Sequence, residues 1–396
     1  MMSKNNQIEY IVGSKKIIKK TLEPFSDKIC NFLNKFSKKL NSHPKSREFS
    51  DIRALAFWCR KKNIIRLKNS YKFDQLRLGL GLIFHITPSN IPTNFAYSLL
   101  FGLLTGNSNI VKLPSQKFPQ VEIICQILKK LTQNKENFKN MITIVRYKNH
   151  DFFTAKFSSI CNARLIWGGD NSIKNIKQHS VDQKCLDLTF ADRYSFCLIS
   201  TSEILKLNTT NLQRLVEKFY NDTYLVDQNA CSSPHLIIWY GEKYHLAKTR
   251  FWKHLNKLVS KKYNLTDFAS MDKYTKFIDD ILNLNNIKKS EKFDNFIYTI
   301  DLKNLDKNTH KLRGKWGFFY EYNTMNINKI IKSIVNNKYQ TLTYFGINKK
   351  TLFKFILKNK LQGIDRVVPI GQALDISLFW DGYDIIRMLT RVTDIK

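Results

Sequence analysis

The sequence predicts an α/β protein with mostly parallel sheets, and three observations carry that expectation. Near-continuous apolar runs of strand length recur along the chain, starting with Leu78–Ile86. Such runs mark strands buried on both faces. Each is followed by turn residues and then by apolar residues at helical spacing, the alternation of βαβ units. The alternation restarts after about residue 205, and a chain of 396 residues accommodates two sizeable domains.

The first stretch reads as helical. Phe25, Ile29, Phe32, Leu33, Phe36 and Leu40 recur at steps of three and four, one amphipathic stripe. His43-Pro44 ends it, and Ser50-Asp51 opens a second helix through about Lys62. Residues 1–75 form a helical lead-in to the main body.

The strand Leu78–Ile86 then runs into the turn-rich Thr87-Pro88-Ser89-Asn90-Ile91-Pro92. A helix over Thr93–Leu104 is apolar nearly all round and so is buried, and Gly106-Asn107 stops it. Asn109–Leu113 is the next strand, then a helix over Pro119–Leu131, and strands at Met141–Val145, Ala163–Trp167 and Tyr194–Ser200. Residues 76–205 make one α/β domain.

Open sheets of this kind bind ligands beyond the carboxyl ends of their strands. Two loops there have suitable chemistry. Lys112 closes one strand and places an ammonium where a ribose or phosphate lies. Gly168-Gly169 closes another and opens a helix, whose N-terminus attracts an anion; it reads equally as an ordinary strand-to-helix turn. The fingerprint G-x-G-x-x-G is absent, and Gly79-x-Gly81 stands before its strand rather than after it.

The second unit, 206–365, opens with a helix over Asn208–Tyr224 and then Asp227-Gln228-Asn229-Ala230-Cys231-Ser232-Ser233-Pro234, leading into the apolar run His235–Tyr240. A cysteine on a small polar turn before a strand is placed to present a thiolate to a cleft. Most cysteines are instead small buried hydrophobes, and reactivity needs a special setting. Residues 259–312 are polar and poor in pattern. Gly314–Tyr320 and Thr341–Gly346 read as strands, and 366–396 is a dense closing segment.

Composition narrows the function. The net charge is +33, but the lysines are spread along the chain with abundant Asn and Ile, the mark of an AT-rich genome. That argues against nucleic acid and leaves room for anionic ligands. The seven cysteines are scattered with no C-x-x-C pair, and the histidines show no ligand spacing, so neither a disulfide framework nor a metal site is expected. The polar start and the lack of any run near the roughly 20 apolar residues of a spanning helix point to a cytoplasmic protein without a transmembrane segment.

Several segments, in order, resemble one family. Pro88-Ser89-Asn90-Ile91-Pro92 and Gly106-Asn107-Ser108-Asn109-Ile110-Val111-Lys112 look like the P-x-N-x-P and G-N-x-x-x-x-K elements of the aldehyde dehydrogenase superfamily, and Cys231 falls where that superfamily keeps its nucleophile. Trp167-Gly168-Gly169-Asp170, Ala230-Cys231-Ser232-Ser233-Pro234, Gln340–Gly346 and Arg366–Tyr383 resemble the acyl-CoA reductases of the bacterial luminescence fatty acid reductase complex, the LuxC family.

The resemblance implies an aldehyde dehydrogenase-like fold: a cofactor domain (76–205), a catalytic cysteine domain (206–365) and a C-terminal segment (366–396) returning to the cofactor domain. It implies NADPH-dependent reduction of a long-chain acyl-CoA to the fatty aldehyde through a thioester on Cys231. The alternatives are an NAD-dependent short-chain acylating aldehyde dehydrogenase and a non-catalytic acyl-docking subunit. Asn90 would donate to the oxyanion. Lys112, Ser115, Gly168 and Gly169 would hold the cofactor. Ser115 stands where NAD-preferring relatives carry a glutamate, which favours NADPH. The family also implies an oligomer and an acyl-protein synthetase partner. The water-activating glutamate of acid-forming relatives is missing. Asp187 is the nearest carboxylate and reads equally as a solvated or capping group. The roles of Arg366, Gln372 and Asp381 stay open.

Overall fold

The computed structural model describes residues 8–71, 73, 75–88, 90–133, 138, 140–148 and 151–395. The polar opening Met1–Gln7 and Ser89 of the proline-flanked turn lie outside the described residues. The chain divides into two compact units, Met1–Ala191 with Leu378–Lys396, and Asp192–Ser377.

These divisions differ from the boundaries at 205/206 and 365/366 read from the sequence, and strand pairing is the reason. The strand Tyr194–Ser200 pairs with Pro234–Tyr240 and Tyr339–Phe345, so it belongs to the second unit. Arg366–Pro369 pairs with Tyr339–Phe345, so it stays there too. Only the end of the chain returns, where Thr390–Thr393 pairs antiparallel with Leu76–Gly79.

The first unit holds strands β1 (Glu9–Val12), β2 (Leu76–Gly79), β3 (Leu82–Ile86), β4 (Ser108–Lys112), β5 (Ile142–Arg146), β6 (Ala163–Trp167) and β7 (Leu186–Phe190). Six of them form a sheet in the order β1-β5-β4-β3-β6-β7. All pairings are parallel except that of β1. The chain builds outward from β3 through β4 to β5, then returns to the other side of β3 for β6 and β7. The strand order therefore reverses between β3 and β6, and ligands of such sheets sit at that reversal, outside the carboxyl ends.

Every residue of β3 and of the helix Asn94–Leu104 is buried, as their unbroken apolar character requires. The run Leu78–Ile86, expected as one strand, is split. Gly81 takes φ +137° and donates its N–H to Asn107 Oδ1 at 2.9 Å, so β2 and β3 leave in different directions. The second helix likewise breaks at Cys59-Arg60 into Ser50–Trp58 and Lys61–Ser70.

The second unit holds β8 (Tyr194–Ser200), β9 (Pro234–Tyr240), β10 (Ile287–Phe293), β11 (Ile297–Leu302), β12 (Phe318–Thr324), β13 (Tyr339–Phe345) and β14 (Arg366–Pro369), in the order β10-β11-β12-β9-β8-β13-β14. Only β10 runs antiparallel. Alternate residues along each strand feed opposite faces. Cys197, Ile199, Ile237 and Trp239 meet the helices Thr209–Thr223 and Tyr244–Lys262. Phe196, Leu198, Leu236 and Ile238 meet Phe277, Ile331, Ile334, Leu352 and Phe355 on the other side. Residues 259–312, unpatterned in sequence, contain the helix Asp267–Asn283 and the hairpin β10–β11. Exposed β10 carries four charged residues in seven, which hides its strand character. Among the described residues no helix is long and apolar enough to cross a membrane, and no cluster of His, Cys, Asp or Glu fits a metal ion.

Candidate active site

Cys231 sits on the loop between the helix Thr209–Thr223 and β9. After the short turn Tyr224–Val226, Asp227 and Gln228 both take left-handed backbone angles, φ 53° and 61°. Non-glycine residues hold such angles at a cost of about 1–3 kcal/mol each, so the surroundings must hold them in place. They do. Gln228 is buried; its Nε2 donates to Pro234 O and Phe318 O, each at 3.1 Å, and its Oε1 accepts from Gly317 N at 3.1 Å. Tyr263 O–H donates to Asp227 Oδ1 at 2.5 Å. Ser195 O–H donates to Cys231 O at 2.7 Å and accepts from Thr341 N at 3.1 Å. Ser233 O–H donates to Asp222 O at 2.7 Å.

The thiol itself is half-buried and faces a carboxylate. Cys231 Sγ lies 3.7 Å from Asp192 Oδ1, within reach of a thiol hydrogen bond. The same oxygen accepts from Arg313 Nη1 at 2.9 Å, and Arg313 Nη2 donates to Arg193 O at 2.9 Å. Next to this pair His235 is buried, with Nδ1 donating to Gly314 O at 3.0 Å; burial and nearby Arg313 push its pKa down to about 3. His235 is thus neutral and structural, not a proton shuttle.

Two of the residues with open roles find places here. The Arg366 guanidinium donates to the carbonyls of Ala373, Gln372 and Asp375 at 2.9, 3.2 and 2.9 Å, so it folds the closing loop. The Asp222 carboxylate accepts from Gly371 N and Ala373 N at 2.6 and 2.9 Å, and burial pushes its pKa up to about 7. Gln372 contributes its backbone. In the first unit Asp381 takes φ 48° and Gly382 φ 76° in the tight turn joining strands β15 (Phe379–Trp380) and β16 (Tyr383–Asp384), an ordinary hairpin requirement.

The first unit carries Asn90, Lys112, Ser115, Gly168 and Gly169 beyond the carboxyl ends of β3, β4 and β6. Asn90 is exposed on the loop between β3 and the helix Asn94–Leu104. Lys112 ends β4, its carbonyl accepts from Thr87 Oγ1 at 2.8 Å, and its ammonium lies 5.0 Å above the Tyr147 ring. Ser115 is exposed three residues on. Gly168 and Gly169 follow β6 and open the helix Asp170–Lys177. Neither takes a positive φ. A Cβ at Gly169 would meet nothing within 4 Å, and one at Gly168 only Ser172 Cβ at 3.4 Å. The chain's own packing does not demand glycine at either place.

Behind this surface runs a buried polar chain. Trp167 Nε1 donates to Ser98 Oγ at 3.0 Å, Ser98 Oγ meets His85 Nδ1 at 2.8 Å, and His85 Nε2 meets Asn109 Oδ1 at 2.9 Å. The amide oxygen can only accept, so Nε2 carries the proton and Ser98 donates to Nδ1. Burial pushes the His85 pKa down to about 4. Gly102 makes room for it, since a Cβ there would lie 1.8 Å from Asn109 Oδ1.

Asp187 lies in the first unit, on β7. Arg164, almost fully buried, clasps it with Nε to Oδ1 at 2.7 Å and Nη2 to Oδ2 at 2.6 Å. Both oxygens are engaged, the geometry of a structural ion pair. The residues that sequence reasoning missed are Asp192, Arg313 and Ser195. Arg313 is separated from Asp192 by 121 positions and borders the unpatterned region, so no local signal marks it.

Comparison with known proteins gives the fold and the family. The fold is aldehyde dehydrogenase-like. Lactaldehyde dehydrogenase from Escherichia coli superposes with a TM-score of 0.66 at 10% identity, over 92% of this chain and 85% of that one. Benzaldehyde dehydrogenase from Corynebacterium glutamicum gives 0.63 at 9% identity, over 92% and 83%. A long-chain acyl-protein thioester reductase of Photorhabdus laumondii subsp. laumondii is 21% identical over 314 residues, 79% of this chain and 62% of that protein. This chain thus spans less than two thirds of that relative's length. The family described as acyl-CoA reductase (LuxC) matches residues 50–392, and the chain belongs to that family.

Proposed function

We propose that the protein reduces a long-chain acyl thioester, carried on coenzyme A or handed over by an acyl-protein partner, to the fatty aldehyde with NADPH. The observation that carries this reading is Cys231, set on a tied, strained loop with its thiol against Asp192. Family membership and the acyl-protein thioester reductase relative support the substrate class.

Cys231 Sγ attacks the acyl carbonyl carbon, and Asp192 Oδ1 takes the thiol proton as the S–C bond forms. Arg313 fixes that oxygen. The Cys231 backbone N–H donates to the oxyanion, a contribution of roughly 2.7–4 kcal/mol per donor; the family resemblance implies the same role for Asn90. The carbon–sulfur bond to the donor breaks, its thiolate is protonated, and Cys231 keeps the acyl group as a thioester. Bound NADPH supplies the two-electron reduction of that carbon. Collapse of the resulting thiohemiacetal returns the Cys231 sulfur and releases the aldehyde.

Lys112 and Ser115 would hold the adenosine ribose or its 2′-phosphate. A serine donates to that phosphate where a carboxylate would repel it. Gly168 and Gly169 would let the backbone pass close to the pyrophosphate or the nicotinamide ribose. Asp187, held by Arg164 at both oxygens, takes no part in activating water. That supports reduction over hydrolysis as the fate of the acyl-enzyme. NADPH and NADH consumption measured across acyl-CoA chain lengths tests the reading. A long-chain optimum with NADPH supports it, and turnover confined to short chains with NADH contradicts it.

A further inference from the structure

We propose that one helical face of the second unit docks on an anionic phospholipid surface. The sequence from Tyr322 to Ile364 contains eight lysines and no arginine, aspartate or glutamate. Its two helices, Ile327–Ile334 and Lys349–Asn359, lie on the same face of the sheet. They bury Ile331, Ile334, Leu352 and Phe355 in one cluster, so their other sides face outward.

Those outward sides are not simply polar. Met325, Phe353 and Leu357 are 61%, 63% and 61% exposed. Phe353 and Leu357 are one helical turn apart and so form a single apolar spot. Lys349, Lys350, Lys354 and Lys358 surround it on the same helix, all exposed. Apolar side chains ringed by lysine ammonium groups match the interface of a bilayer. The rings and aliphatic tips enter the headgroup boundary while the ammonium groups meet lipid phosphates.

The opposite helical layer makes the distinction. The helix Tyr244–Lys262 is also basic and free of acidic residues, yet Leu246 is its one exposed large apolar side chain. General basicity therefore does not produce the combination. On the docking side the basic face ends at the helix Asp267–Asn283, which brings Asp267, Asp272 and Asp279. This inference is independent of the catalytic reading.

Co-sedimentation of the full chain with vesicles tests it, comparing phosphatidylcholine alone with phosphatidylcholine enriched in phosphatidylglycerol. Binding to the anionic vesicles only is expected. Lys354→Glu with Lys358→Glu should weaken it by more than about tenfold. Phe353→Ser with Leu357→Ser, both at exposed positions, should weaken it on the order of tenfold without changing thermal stability. Equal binding to both vesicle types overturns the proposal. So does full binding by the Phe353/Leu357 variant, which would mark a simple polyanion surface such as one for nucleic acid. Loss of a dimer in that variant, with no vesicle binding by the wild type, would assign the face to contact between two copies and also overturn it.

Discussion

Asp192 Oδ1 lies 3.7 Å from Cys231 Sγ, and Arg313 occupies the same oxygen at 2.9 Å. The carboxylate is thus oriented by one neighbour toward the other. Asp192→Asn keeps the shape but removes the proton acceptor. Acyl transfer to the enzyme should slow by about a hundredfold, the low end for a general base. Arg313→Met should slow it less. The double variant should be no slower than Asp192→Asn alone, because the two act through one contact. Fully additive losses in single-turnover acylation would show that Arg313 acts elsewhere.

The second prediction concerns Asp187. Its clasp by buried Arg164 makes it a stabilising partner. Asp187→Asn leaves a buried guanidinium without its counter-charge, a loss of about 3–5 kcal/mol. Denaturant unfolding should show that loss, while the acylation rate per folded molecule stays near wild type. A variant of full stability that no longer acylates would return Asp187 to the chemistry.

Gly169 separates cofactor binding from folding. A Cβ there meets no heavy atom beyond its chain neighbours within 4 Å, so Gly169→Ala should unfold close to the wild-type temperature, lowered only by the weaker helix cap. NADPH affinity should nonetheless drop at least about tenfold if the bare backbone faces the cofactor. Unchanged affinity by fluorescence titration would remove Gly169 from the site. Ser115→Glu should shift preference from NADPH toward NADH through repulsion of the 2′-phosphate.

Stability should also depend on pH through two buried imidazoles. His85 and His235 have pKa values pushed down to about 4 and about 3 by burial. A folded-state value below the ordinary one means that stability is complete above about pH 6.5 and is lost as pH falls through the depressed values. Each imidazole accounts for on the order of 3–5 kcal/mol of that loss. Urea unfolding between pH 7 and pH 4, values chosen to bracket the ordinary histidine range, should show it. His85→Gln should flatten part of the slope, and an unaltered slope would contradict the neutral assignment of His85.

Much of this was legible because it is local. The apolar runs of β3, β4, β6, β8 and β9 announce buried parallel strands; Lys112 and Gly168 each stand at the end of such a run, and Cys231 stands just before one. What was hidden depends on distance along the chain or on exposure. The unit boundary at Ala191 follows from β8 pairing with β9 and β13, which no residue near 191 encodes. β10 is an exposed edge whose lysines mask its alternation. Arg313 meets Asp192 across 121 positions, with β8 to β11 lying between them in the chain. Asp187 looked like a candidate base until its partner, Arg164 on the neighbouring strand, was known.

The central claim is a covalent acyl group on Cys231. Incubating the protein with labelled long-chain acyl-CoA, without NADPH, and mapping the label by peptide mass spectrometry tests it directly. The account predicts label on the Cys231 peptide, discharge as aldehyde when NADPH is added, and no label in Cys231→Ala. Equal labelling of wild type and Cys231→Ala would contradict it.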